Sequence, residues 1–470
     1  MLLKISKSFL YCSVLSVLVV LNGTFFPFIG GKNYFYRAII ELAFIFFLLW
    51  WAFEAPVGEV LARMKRLLKQ PLFLAVSLFF IFFMLATVFA FDSHAAFWSN
   101  YERGEGGFQM LHYYGFFFLA VLLFDRKKDW QWMFWASLAA GIGMIFYGIA
   151  AAIDFTPMWR NLLRPGQAPP LNFIGPYFPG GAPIKETLIE RLFASSRFQG
   201  SLGNPAYVAP YLMFSLFYLA WLWVSEHRRT LLKNISYGVL AAFFSVFFLA
   251  SQTRGAFVGL VAAIFVFLAI LVMKNQVWRK WLILLIAVLA MLLGTLIYYR
   301  QNDFVKKLPA SRLFDITLNN QTFQTRLWTW NSAWQGFKDR PILGWGPENF
   351  SAVFDKYFDP RHFVPGQPSE TWFDYAHSAI FDYLSETGIL GLLSYLAIFG
   401  VFYWEWFRKK FNSGNGILLF ALMAAIPIGY LVQGLALFNV LPIYINLFLL
   451  LAFACYEFRP HADKASQDKI

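Results

Sequence analysis

Three short polar stretches interrupt a chain that is otherwise largely apolar. The first is Arg197-Phe198-Gln199-Gly200-Ser201-Leu202-Gly203-Asn204-Pro205 and the second is Ser251-Gln252-Thr253-Arg254-Gly255-Ala256. The third begins at His377 and continues through Ser378, Asp382, Glu386 and Gly388. Arg254 stands alone between two apolar runs, where an unanswered guanidinium is costly. Two readings are open for it: an arginine that answers a bound anion, or one that snorkels to lipid headgroups. Arg197 carries the same ambiguity. A guanidinium grips two phosphate oxygens at once, so two of them converging on a cavity would suit a lipid-linked diphosphate. Asp374 is placed to cap a helix whose first turn would hold His377. The positive end of the helix dipole disfavours imidazolium there, leaving a neutral ring able to accept a proton from a sugar hydroxyl. The alternative is a histidine that only hydrogen-bonds at an interface. Asp382 and Glu386 follow on the same helix and either orient the site or satisfy each other. Arg361 and His362 are weaker candidates.

The elements that must position these residues are membrane spans. Of 470 residues, 59% are hydrophobic and 14% charged, with a mean hydropathy of +0.54. Soluble globular chains run near ~45–50% apolar and ~25% charged, so this chain has more apolar surface than a soluble core can hide. Its 57 Phe and 18 Trp suit lipid-facing helices and aromatic belts. Apolar runs long enough to span lie near 8–29, 36–53, 71–91, 109–124, 131–152, 205–225, 234–250, 256–273, 279–298, 378–405, 416–434 and 439–457. The fold class expected is an all-α integral membrane protein of about twelve transmembrane helices. Cys12 and Cys455 lie at opposite ends of the chain and give no disulfide framework.

The connectors alternate in character. One set is short and basic: Lys4 and Lys7; Arg63, Lys65, Arg66 and Lys69; Arg126 to Lys128; Arg228, Arg229 and Lys233; Lys274, Arg279 and Lys280; Arg408 to Lys410; and Arg459, Lys464 and Lys469. With twelve spans all of these fall on one side, which the positive-inside rule makes cytoplasmic, together with both termini. The net charge of +13 therefore serves topology, and no nucleic-acid partner is expected. The first run is flanked like a signal peptide, but it is too long for one and lacks a cleavage site, so it reads as a retained span.

The whole of 1–470 reads as one polytopic domain with two long connectors on the outer side. Residues 153–204 are rich in Pro and Gly, as in Arg164-Pro165-Gly166-Gln167-Ala168-Pro169-Pro170 and Pro179-Gly180-Gly181, and predict irregular structure. Residues 299–377 balance acidic against basic side chains and read as a folded layer. Within them Phe323, Leu327, Trp330, Trp334 and Phe337 recur at helical spacing, predicting an amphipathic helix that lies on the membrane surface or caps the bundle. No Walker loop, dinucleotide fingerprint, zinc spacing or Asp-x-Asp pair is present, so no cofactor or metal is expected. The cytoplasmic loops are too short to house a nucleotide-consuming reaction.

At the three stretches the chain resembles the O-antigen ligase superfamily, which includes polysaccharide polymerases and some protein O-oligosaccharyltransferases. The residues carrying the resemblance are Arg197-x-x-Gly200 with Asn204-Pro205, Thr253-Arg254-Gly255-Ala256, and Arg326-x-Trp328 leading to Pro341-Ile342-Leu343-Gly344-Trp345-Gly346. His377 with Tyr383-Leu384, Glu386 and Gly388-Ile389-Leu390-Gly391 completes it, so that it runs from about Arg197 to Leu393. Ser378 stands where family members often have Asn. The resemblance implies a metal-independent, GT-C-like glycosyltransferase of the bacterial inner membrane, with its site at the periplasmic face under a helical loop layer. Its donor would be an undecaprenyl-diphosphate-linked glycan and its acceptor a glycolipid or glycan, all handled among membrane lipids. Arg197 and Arg254 would hold the diphosphate and His377 would activate the acceptor hydroxyl, with Arg326, Asp382 and Glu386 as secondary candidates. A polymerase joining two lipid-linked units is the nearest alternative. A transporter or flippase is the alternative of another class, disfavoured by the absence of internal repeats and by the long connector at 299–377.

Overall fold

The computed structural model describes residues 1–21, 23–24, 26–100, 103–152, 197–226, 230–308, 310–315, 317, 321–363, 371–408 and 415–459. Among them every regular element is helical. In chain order these are α1 (Leu2–Ser13), α2 (Gly30–Phe53), α3 (Glu59–Leu67), α4 (Pro71–Val88), α5 (Ser93–Trp98), α6 (Gly107–Leu123) and α7 (Lys127–Ala152). Then come α8 (Pro205–Val224), α9 (Leu231–Ala250), α10 (Arg254–Lys274), α11 (Arg279–Tyr298), α12 (Asp303–Lys306), α13 (Gln321–Asp339) and α14 (Phe350–Lys356). The last three are α15 (Ala379–Arg408), α16 (Asn415–Gly434) and α17 (Leu441–Phe458). Ten of the described helices are long and apolar enough to cross a membrane: α2, α4, α7 to α11 and α15 to α17. The chain is an all-α integral membrane protein.

Of the expected count of about twelve, the described residues give these ten and one shorter apolar helix, α6, while α1, with Lys4 and Lys7, is not an apolar span. The first run was expected near 8–29 but is helical earlier: α1 passes into a 3-10 turn at Val14–Leu18 and ends there. Gly23 and Pro27 explain the stop, because the chain folds back so that the Leu21 amide donates to the Pro27 carbonyl at 3.0 Å. The freed residues Phe26 to Ile29 are thereby available to line a cavity. The Pro/Gly-rich stretches within 153–196 lie outside the described residues.

The core is built where the helices are buried all round. α17 and α8 sit at the centre, with nearly every side chain enclosed, whereas α11 buries none of its residues. A helix apolar on every face is compatible with either environment, so packing decides which is central. At one end of the bundle Arg63 and Arg459 share Asp125, the latter at 2.9 Å, and Lys7 pairs with Asp129 at 2.8 Å. α6 runs from Gly107 to Leu123, just before Asp125, so the residues around Glu105 lie at the opposite end. The three stretches singled out in the sequence also lie at that opposite end.

α15 consists of two helical halves meeting at Gly388, whose φ is 64°. The interruption serves a backbone clasp with residues 341–346. The Trp345 and Gly346 amides donate to the Ser385 and Glu386 carbonyls at 2.9 and 2.8 Å, and the Ile389 amide donates to Pro341 at 2.8 Å. Carbonyls freed by the break thus find donors. Gly344 and Gly388 face each other so closely that a Cβ on either would strike the other's backbone or its neighbours'. The two glycine-containing motifs, some forty residues apart in sequence, are two sides of one joint.

The helix expected from the Phe323–Phe337 pattern exists as α13, with its small residues packed inward. Its buried residues are Thr325, Thr329, Ser332, Ala333 and Gly336, while Leu327 and Trp334 are exposed. Small residues allow close approach to α14 and α15, and the large side chains are left for the rim. Trp330 is an exception that anchors the helix, stacking on Phe381 with ring centroids 5.1 Å apart.

Candidate functional site

The first two polar stretches are stitched together by their own hydrogen bonds. Arg197 donates through Nε to the Ser251 carbonyl at 3.0 Å and through Nη2 to Thr253 Oγ1 at 2.9 Å. Thr253 in turn donates to the Pro205 carbonyl at 3.0 Å. Asn204 caps α8 by accepting from the Ala206 amide at 2.9 Å, and Pro205 occupies the first helical turn, which needs no amide donor. The two stretches therefore form one knot at the N-terminal ends of α8 and α10.

Arg197 lines a cavity of about 550 Å³ together with Arg326, Arg103, Asp374 and His377, between walls formed by residues 26–29, Tyr207, Trp372 and Phe438. Arg254 stands beside this cavity and does not line it. It donates to the Arg312 carbonyl at 3.1 Å and pairs with Asp315 at 3.0 Å. Burial pushes the Arg197 pKa down to about 10, and the positive charges of Arg312, Arg254 and Arg326 push the same way. Arg197 remains a cation at neutral pH, in a field that an anion would relieve.

His377 reaches the cavity by a different route from the one its spacing suggests. α15 begins at Ala379, and Ser378, not Asp374, occupies the capping position, its carbonyl accepting from the Asp382 amide at 2.8 Å. His377 precedes the helix in a left-handed conformation with φ 57°. Asp374 is instead drawn away to Arg103, whose Nε lies 2.6 Å from its carboxylate. His377 thus stands just before the helix and not in its first turn. Burial pushes its pKa down to about 4.

The residues beside His377 are tightly held. The Ala376 amide donates to Asp382 Oδ1 at 2.6 Å, and the Ala376 carbonyl accepts from Trp330 Nε1 at 2.9 Å. The His377 ring stands edge-on to Phe373 and Phe438, with centroids at 5.3 and 5.0 Å. Its Nδ1 lies 3.0 Å from the Tyr375 carbonyl. A carbonyl only accepts, so the neutral ring carries its proton on Nδ1 and leaves Nε2 as an acceptor.

Asp382 and Glu386 do not line this cavity. With Glu105 and Glu348 they enclose a small chamber of about 20 Å³ on the other side of Tyr375. Glu105 accepts from Tyr113 and from the Leu441 amide, both at 2.7 Å, and Glu348 accepts from Ser99 at 2.6 Å and from Tyr375. Burial raises the Glu105 pKa to about 7, against the pull of its hydrogen bonds, and raises that of Glu348 as well. Among the described residues no group of His, Cys, Asp and Glu is arranged to hold a metal ion. Arg361 pairs with Asp359 on the surface, and His362 is buried among Trp328, Phe354 and Phe373.

Sequence reasoning missed Arg103 and the connector carrying Leu437 and Phe438. Arg103 was open to the argument that singled out Arg254, since it lies outside the short basic connectors that topology accounts for. Leu437 and Phe438 carry no polar signal, and their place is set by packing alone: the Ala379 amide donates to the Leu437 carbonyl at 3.1 Å, and Phe438 stacks flat on Tyr375.

The fold and cavity together define a polytopic membrane protein with a cationic site at one end of its bundle. Residues 238–396 match the model of the O-antigen ligase family, which supports the resemblance to the O-antigen ligase-like superfamily. The span contains Arg254, Arg326 and His377, whereas Arg197 and Arg103 lie outside it. No curated protein matches the chain. That match supports glycosyl transfer of the ligase or polymerase type on lipid-linked glycans.

Proposed function

We propose that this protein transfers a glycan from an undecaprenyl-diphosphate-linked donor to an acceptor sugar, in the manner of an O-antigen ligase. The observation carrying the reading is that His377, with Nε2 left as an acceptor, lines the same cavity as Arg197 and Arg326. In this scheme Nε2 takes the proton of the acceptor hydroxyl while its oxygen bonds to the donor's anomeric carbon. The bond from that carbon to the diphosphate oxygen breaks, and its electron pair leaves with the diphosphate. Arg197 and Arg326 answer the charge that develops there, with Arg254 and Arg312 adding to the field. Arginine charge is sufficient for this stabilisation without a metal.

The cavity lies at the end of the bundle away from the basic connectors. By the positive-inside rule that end is periplasmic, with the protein in the inner membrane and both termini cytoplasmic. Residues 299–377 then form the periplasmic layer that roofs the cavity, and 153–204 the second outer loop of a single polytopic domain.

The test is transfer by purified protein in vesicles, with a lipid-diphosphate-linked glycan as donor. Lipid A–core and a second lipid-linked unit serve as alternative acceptors and separate ligase from polymerase. His377→Ala should cost ~10²–10⁴-fold in kcat, and Arg197→Ala and Arg326→Ala should raise the donor KM. Wild-type kinetics in all three well-folded variants would refute the site.

A further inference from the structure

Arg103 is not part of the proposed reaction, yet it is held by several groups of the cavity wall. It sits in the connector between α5 and α6, buried to 8% exposure. Besides its 2.6 Å pair with Asp374, its Nη1 lies 3.3 Å from Tyr207 Oη on α8. Its guanidinium lies over the rings of Tyr375 and Phe438, 4.8 and 5.0 Å from their centroids. Three separate parts of the fold therefore fix one planar group, and all of its neighbours border His377.

Asp374 is three residues before His377, lines the same cavity and acts on the imidazole electrostatically. An unpaired carboxylate there would do what carboxylates do beside histidine: favour the imidazolium and capture the proton that the ring is meant to accept. The other charged groups around the ring are Arg326 on α13 and Arg197 before α8, both cations, and the phenol of Tyr207. Asp374 is thus the nearby anion whose charge must be cancelled if His377 is to stay unprotonated.

We infer that Arg103 is a positioning residue that holds the Asp374 carboxylate away from His377, so that the imidazole remains the proton acceptor of the cavity. Stacking on Tyr375 and Phe438 makes the hold rigid, since the planar guanidinium cannot swing toward the cavity without leaving both rings. Its charge is secure: burial opposes it, but Tyr207, Tyr375 and Asp374 outweigh burial and raise its pKa. This inference rests on His377 acting as the base.

The experiment is a pH profile of kcat/KM for Arg103→Gln, Arg103→Lys, Asp374→Asn and the double variant Arg103→Gln/Asp374→Asn. Removing the guanidinium should move the acidic limb of the profile upward by about one pH unit or more, the size expected when an opposite charge is unmasked beside a titrating group. Arg103→Lys should restore part of the shift. The double variant should return the limb to its wild-type place, because the carboxylate that caused the shift is gone. A limb unmoved in Arg103→Gln overturns the inference, as does a double variant shifted as far as the single one. A raised donor KM with the limb in place also overturns it, making Arg103 a ligand grip. Nitrogen-15 NMR titration of His377 in the same variants reads the shift without turnover. A protein inactive in every transfer assay but showing the NMR shift and its reversal would therefore fail the functional proposal while supporting this one.

Discussion

Gly388→Ala tests the joint on which the site is hung. The residue has φ 64°, and an L side chain in the left-handed region costs ~1–2 kcal/mol. The added Cβ would also meet the Ile342 carbonyl and the Gly344 amide, both backbone groups that cannot swing aside. Relief requires moving 341–346 away from α15. That weakens the bonds Trp345–Ser385, Gly346–Glu386 and Ile389–Pro341, each worth ~0.5–1.5 kcal/mol net. Strain plus partial loss of the clasp gives a destabilisation of about 3–5 kcal/mol. Gly400→Ala on the same helix is the control, since a Cβ there meets nothing within 4 Å. Replacing a helical glycine with alanine in open space should stabilise by ~0.5–1 kcal/mol. The assay is thermal unfolding of the detergent-solubilised variants side by side, with transfer activity measured at a temperature where both are folded. The Gly388 variant should unfold well below wild type and lose activity, because Glu348 and through it Tyr375 depend on the clasp. Equal unfolding temperatures for the two variants would refute the reasoning.

Three further outcomes are expected. The His377 pKa is pushed below the ordinary 6.5 by burial, so the base stays neutral and kcat/KM for transfer should hold steady as pH falls through 6.5; a titration centred at 6.5 would contradict it. Glu105 has its pKa raised to about 7 by burial, so the folded state binds its proton more tightly than the unfolded chain. Its contribution to stability is therefore full below ~4.3, where both states are protonated, and is lost as pH rises to about 7; Glu105→Gln should flatten that dependence in melting curves taken from pH 5 to 8. Arg254→Ala should raise the donor KM by weakening the cavity's field, and Arg254→Lys, which keeps the charge, should restore most of the loss. Its pair with Asp315 is partly exposed, so neither variant should shift the melting temperature much.

The membrane helices were readable because hydrophobic burial in lipid is a local property, summed over about 20 residues with no knowledge of neighbours. Run length marked α2, α4 and α7 to α11, and the same reasoning failed at the start of the chain, where a turn at Gly23 and Pro27 overrides an apolar run. The pattern also located a helix at 321–339 but could not say which of its faces packs inward. Periodicity reports which residues share a side, and the choice between burying Ala333 and Gly336 or Leu327 and Trp334 depends on how near α14 and α15 must come.

The sequence by itself determined an all-helical membrane protein and marked Arg197, Arg254 and His377 as polar residues out of place in it, with Arg326 added by the family resemblance. Tertiary structure decided what each one faces: Arg197, Arg326 and His377 share a cavity, Arg254 turns to Asp315, and Asp382 and Glu386 go to a separate chamber with Glu105 and Glu348. It also brought in Arg103 and Phe438 from connectors far away in the chain. The physical reason is range. Apolar content acts residue by residue, while charge placement depends on partners such as Asp374 and Arg103, 271 positions apart, which only the packed bundle brings within 3 Å.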